Sequence, residues 1–129
     1  ASATGVVRLA ERKLASSDKD SVLRAAKERG ELSAKAVFDA VKEGDELACE
    51  IAEQFGDYLG KGFAAIAGVV NPEVFVLGGG VSRAGGILCE YVSKYYTKYV
   101  FQGSKDAQFK LATLGNDAGI YGAAKLVLE

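Results

Sequence analysis

The sequence predicts an α/β fold, rich in helix and built around a small central sheet, and three observations carry that prediction. Apolar residues recur at three- and four-residue steps through most of the chain before Asn71, the period of amphipathic helices. A wholly apolar run, Val74 to Leu77, follows Pro72 and has the character of a central strand covered on both faces. A second short run, Phe109 to Thr113, alternates apolar with small or polar residues, as a half-buried or edge strand does. With 129 residues and 49% hydrophobic content there is material for one core, so residues 1–129 are expected to form a single domain.

The elements follow in order. Val6, Val7, Leu9, Ala10 and Leu14 among charged neighbours predict a first helix over residues 2–15. The polar turn from Ser16 to Asp20 leads into a short helix through Val22, Leu23 and Ala26 that stops at Gly30. Ser33 caps a third, with Ala36, Val37, Ala40 and Val41 as its inner stripe. Asp45 caps the longest, where Leu47, Ile51, Phe55, Leu59, Phe63, Ile66 and Val70 form one apolar face. Polar residues disappear after Lys61, so its second half is expected to be buried all round. Gly56, Gly60, Gly62 and Gly68 weaken a helix interior, and close packing against another backbone is the expected compensation.

Beyond the strand, Ile87, Leu88, Tyr91, Val92, Tyr95 and Tyr99 predict a further amphipathic helix, with Lys94 and Lys98 on its wet side. The tyrosines read as core or subunit contact. Residues 102–108 read as a polar loop, and a last helix is expected from Ala118 to Leu128, capped by Asn116 or Asp117. The long helix and the tyrosine helix carry more apolar surface than one lobe needs, which points to a homo-oligomer.

Two glycine-rich segments are the candidates for function. Gly78, Gly79 and Gly80 strip side chains from the carboxyl end of the first strand, where open α/β sheets bind ligands. A planar or anionic ligand could lie on that backbone, or the triplet is only a tight turn. Ala118, Gly119, Gly122 and Ala123 line one face of the last helix, for a hinge-like contact or ordinary tight packing. Composition removes other classes. There is no histidine, hence no Ser–His or Cys–His pair and no histidine metal ligand. Cys49 and Cys89 stand alone and read as reduced structural residues. A net charge of −1 disfavours nucleic acid, and no stretch is long enough to span a membrane, so a cytoplasmic protein is expected. The acidic groups Asp18 with Asp20, Asp45 with Glu46 and Glu50 with Glu53 suit helix caps or solvated faces better than acid–base catalysis.

Asn71-Pro72-Glu73-Val74-Phe75-Val76-Leu77-Gly78-Gly79-Gly80-Val81-Ser82, together with the run from Leu114 to Ala124, resembles the carboxyl-terminal part of a bacterial glucokinase of the ROK family (repressors, open reading frames and kinases). Ala1 to Gly5 and the Glu43-Gly44-Asp45 junction match as well, and the likeness runs over essentially the whole chain.

The resemblance implies a ribonuclease-H-like, actin-like ATPase fold, in which two lobes close on a sugar and a nucleotide. This chain would be most of the second lobe, with the amino-terminal lobe absent. Gly78, Gly79, Gly80, Val81 and Ser82 would then form the adenosine-binding segment, and Asn116, Asp117, Ala118, Gly119 and Gly122 the interlobe connection. The parent would phosphorylate glucose with ATP and Mg2+, and a structural zinc is expected upstream. The phosphate loop and catalytic aspartate also belong upstream, so the fragment alone is expected to hold no catalytic residue and to be inactive. Another ROK sugar kinase, acting on fructose or N-acetylmannosamine, and the sugar-sensing body of a ROK repressor are the alternatives.

Overall fold

A computed structural model describes residues 3–112; the expected last helix and the residues expected in an interlobe connection, Asn116, Asp117, Ala118, Gly119 and Gly122, lie outside them. Four helices come first: α1 (Ala3–Ser16), α2 (Val22–Glu28), α3 (Ala34–Lys42) and α4 (Glu46–Val70). Strand β1 (Val74–Leu77), a 3-10 turn (Gly79–Ala84), α5 (Gly86–Tyr99), a second 3-10 turn (Gln102–Ser104) and β2 (Gln108–Leu111) complete the order.

The helix starts follow from side-chain chemistry. Ser33 accepts from the Ala36 N–H at 3.0 Å, as its position predicts. Asp45 accepts from the Ala48 N–H at 2.9 Å, and the same carboxylate takes the Ser21 hydroxyl and the Val22 N–H, both at 2.9 Å. Ser21 in turn accepts from the Leu23 N–H, so one carboxylate fixes the starts of both α2 and α4. Asn71 ends α4 in the left-handed conformation (φ 45°), its N–H donating to the Ala67 carbonyl, and the Ser104 hydroxyl donates to its side-chain oxygen.

The main core joins Val6, Ala10 and Leu14 of α1, Val37, Phe38 and Val41 of α3, Leu47, Ile51 and Phe55 of α4, and Leu88 and Val92 of α5. Phe38 takes a buried place where the spacing favoured Ala36, which is only half-buried. A second, aromatic cluster lies under the sheet, where Phe75 stacks on Phe109 with centroids 5.0 Å apart and meets Phe63 at 4.8 Å. Tyr96 closes it, its ring 5.5 Å from Phe75 and its buried hydroxyl donating to the Ser104 carbonyl at 2.7 Å. The buried tyrosine of α5 is therefore Tyr96, whereas Tyr91 and Tyr95 are half-buried and Tyr99 is exposed.

Strands β1 and β2 run parallel, in register from Val74 opposite Gln108 to Leu77 opposite Leu111. Among the described residues β1 pairs on one edge only, with Phe75 and Leu77 buried and Val74 and Val76 half-buried, so those residues cover the strand less fully than its composition suggests. Gln108, expected in a loop, begins β2.

The long helix departs furthest from expectation. Beyond Lys61 only Ala67 is buried; Ile66 is 42% and Val69 86% exposed, because α5 and the sheet cover one flank of α4 and no described residue covers the other. The four glycines divide in the same way. A Cβ on Gly56 would lie 3.0 Å from the Tyr91 carbonyl oxygen and one on Gly60 2.6 Å from the Tyr95 Cβ, whereas Gly62 and Gly68 face open space. Close backbone approach therefore explains the first pair and not the second.

Candidate functional site

The parallel register brings both strand ends to one edge. The Ala112 N–H donates to the Leu77 carbonyl at 2.9 Å, so the chain leaves for Gly78 and for Thr113 from neighbouring points. The first glycine-rich segment starts from this shared edge, and the second lies outside the described residues.

Gly78 continues the strand in extended form, and Gly79 then turns into the left-handed region at φ 74°. Only glycine takes that conformation without strain, which answers why the position is glycine. Among the described residues a Cβ at Gly79 would meet nothing within 4 Å, so none of them fills the space over this backbone. Gly80 is constrained differently, since its Cβ would lie 3.0 Å from that of Ala3 at the start of α1. The next residues hold the corner. Val81 packs against the main core, and the Ser82 hydroxyl donates to the Gly79 carbonyl at 2.6 Å. A 3-10 turn and a second left-handed glycine, Gly85 (φ 88°), come before α5, so the strand does not pass directly into a helix.

What this corner can do is accept a flat or anionic group onto bare backbone. The structure brings together all five residues of the first motif: three glycines as a bed, and Val81 and Ser82 fastening it. Among the described residues no group of three or more His, Cys, Asp or Glu side chains is placed to hold a metal ion, and Cys49 and Cys89 are free thiols.

Two features were not foreseen. The first is a polar clasp between α4 and α5. Lys94 pairs with Glu53 at 2.7 Å while the Tyr95 hydroxyl donates to the same carboxylate, and a turn further on Asp57 takes both Lys61, at 3.3 Å, and the Tyr99 hydroxyl. Burial raises the Glu53 carboxyl, but Lys94 and Tyr95 outweigh it and hold it below its ordinary range. The hydrogen bond to Glu53, with burial second, pushes Tyr95 up to about 12. Nothing in sequence links partners so far apart. The second is a groove of about 540 Å3 between α1 and α4, into which Arg8 and Arg12 project. Their four-residue spacing opposite Val6, Ala10 and Leu14 is the signal that could have found it.

With this geometry in hand, comparison with known proteins is decisive, because the model of the ROK family matches residues 1–129. The chain belongs to the ROK family. Among ROK relatives, the glucokinase of Halalkalibacterium halodurans is 38% identical over 130 residues, an overlap of 100% of this chain and 39% of that protein. A Cytophaga hutchinsonii protein assigned as a sugar kinase superposes with a TM-score of 0.77 at 29% identity, covering 98% of this chain and 42% of the other. A ROK family transcriptional regulator superposes at 0.72 with 25% identity, covering 98% of this chain and 31% of the regulator. The fold is accordingly the α/β, actin-like ATPase type of ROK sugar kinases. This chain spans about two fifths or less of the length of these relatives.

Proposed function

We propose that residues 1–129 form the carboxyl-terminal, nucleotide-binding lobe of a ROK sugar kinase, whose whole protein transfers the γ-phosphoryl group of ATP to the 6-hydroxyl of glucose. The observation that carries this reading is Gly79, held left-handed beneath open space at the edge where both parallel strands end. The open cradle fits a nucleotide: the Gly78–Gly80 backbone would lie under the adenosine, while Val81 and Ser82 keep the corner in shape. ATP with Mg2+ would supply the phosphoryl group, and such transfer depends on positioning and charge neutralisation rather than on covalent work by the protein. The part assigned to this chain is to bind and orient.

Glucose as the sugar rests on the likeness to a glucokinase. With no histidine and no assigned base in it, the chain alone is taken to be inactive, with a structural zinc and the catalytic aspartate on the rest of the parent. Asn116, Asp117, Ala118, Gly119 and Gly122 are assigned to the interlobe connection. A homo-oligomer in the cytoplasm is proposed; among the described residues no helix is long and apolar enough to cross a membrane. A second reading, the sugar-sensing body of a repressor, is favoured by the likeness to the transcriptional regulator.

The test uses the full-length protein in a coupled assay with ATP, magnesium and glucose. Gly79→Val places a branched side chain in the nucleotide's space, and a loss of about 2.7 kcal/mol would raise the KM for ATP roughly a hundredfold. KM for glucose should change far less. Unaltered ATP saturation in a folded variant would reduce the triplet to a turn, and absence of any kinase activity would favour the repressor.

A further inference from the structure

We infer that the groove between α1 and α4 is a second ligand site, for a phosphomonoester carried on a ring compound. It does not depend on the function proposed above. Arg8 and Arg12 stand one turn apart on the same face of α1, both exposed, and neither has a salt bridge or side-chain hydrogen bond among the described residues. Like charges at this spacing repel one another and weaken a helix, a penalty that an anion between them would remove.

Opposite them on α4, Asp57 also faces the groove, but its charge is taken up by Lys61 at 3.3 Å and by the Tyr99 hydroxyl. Among the described residues the two guanidinium groups are therefore left without a countercharge. Planar guanidinium forks match phosphate oxygens in pairs, which a single ammonium cannot do.

The rest of the groove is not simply a charged surface. Leu9 and the buried ring of Phe55 form an apolar floor, and Tyr58, 66% exposed, stands at the rim with an unburied aromatic face. A ring could lie on that floor with its phosphate between the arginines, and Thr4 and Gln54 stand close enough in the lining to meet ring hydroxyls. A volume of about 540 Å3 suits a single nucleotide or sugar phosphate. Both share the chemistry of a phosphomonoester on a ring.

The test titrates the 129-residue chain at low ionic strength with inorganic phosphate, AMP and glucose 6-phosphate, followed by the arginine Nε–H resonances. One or both esters should bind at least about tenfold more tightly than inorganic phosphate, a difference of about 1.4 kcal/mol. The tighter ester tells a nucleobase from a sugar. The double variant Arg8→Gln, Arg12→Gln should weaken ester binding at least about tenfold, whereas Arg29→Gln, whose side chain pairs with Glu31 away from the groove, should not. Both arginines are exposed, so the double variant is expected to fold, which circular dichroism checks. The inference is overturned if no ester saturates below about 10 mM, if inorganic phosphate binds as tightly as either ester, if the double variant binds unchanged, or if Arg29→Gln weakens binding as much as the double variant does.

Discussion

Gly60 lies directly under the backbone of α5 at Tyr95, where an added methyl group would stand 2.6 Å from the tyrosine Cβ. Neither atom belongs to a flexible side-chain end, so the helices would have to move apart. Gly60→Ala should destabilise the chain by about 1–3 kcal/mol despite its better helix propensity. Gly62→Ala, two residues on and facing open space, should stabilise it by up to about 1 kcal/mol. Urea unfolding of the two variants side by side is the measurement, and shifts of the same sign would contradict the contact.

Asp45 joins two helix starts through three hydrogen-bond donors: the Ala48 N–H, the Ser21 hydroxyl and the Val22 N–H. Losing a single cap costs about 1 kcal/mol, and here the Ser21 hydroxyl and the Val22 N–H lose their acceptor as well, so Asp45→Ala should cost about 2 kcal/mol or more. Ser21→Ala should cost less, since Asp45 keeps its bond to Ala48. Thermal unfolding of both variants decides it; a Ser21 effect as large as that of Asp45 would mean that the carboxylate is not the shared element.

The clasp between α4 and α5 makes stability depend on pH at both extremes. Tyr95, raised from 10.0 to about 12 by its hydrogen bond to Glu53, contributes stability that is complete below pH 10 and lost as the pH rises towards 12. Glu53 is lowered from 4.5, so its contribution is complete above pH 4.5 and lost as the pH falls through its folded value. Tyr95→Phe should therefore make the alkaline limb of Tm against pH shallower than in the parent chain. An identical alkaline limb would show that the phenol carries none of the dependence.

Among the described residues nothing covers Ile66 and Val69 of α4, and such apolar surface drives association in water. Sedimentation at micromolar concentration should show self-association, and Val69→Lys should weaken it and reduce binding of a hydrophobic dye. A monomer that binds no dye would count against an exposed flank in solution.

Much of the fold was legible because its signals are local. Ser33 and Asp45 announce helix starts through side chains that reach only three residues ahead, and the 3.6-residue period finds α1 to α4. The second half of α4 is less buried by the described residues than its composition suggests, because composition reports what a segment could bury and not which neighbour buries it. The candidate site was half legible. Three glycines after a strand mark the edge, but a sequence cannot say that Gly79 takes the left-handed turn while Gly80 rests against Ala3. The clasp was invisible because Glu53 meets Lys94 and Tyr95 only after α5 folds back along α4.

The parallel pairing of β1 with β2 has a kinetic consequence. Antiparallel strands can close through a tight hairpin, but these two are separated by the whole of α5 and the loop after it, so the chain has to fold back over that length for Val74 to find Gln108. The glycine corner is therefore expected to assemble late and to open early. Its amides should exchange with deuterium well ahead of those around Ile51, at the centre of the helical core. A molecule resting on Gly79 would bind only the closed form, and slowed exchange at the strand ends would report its arrival even in a chain that performs no chemistry.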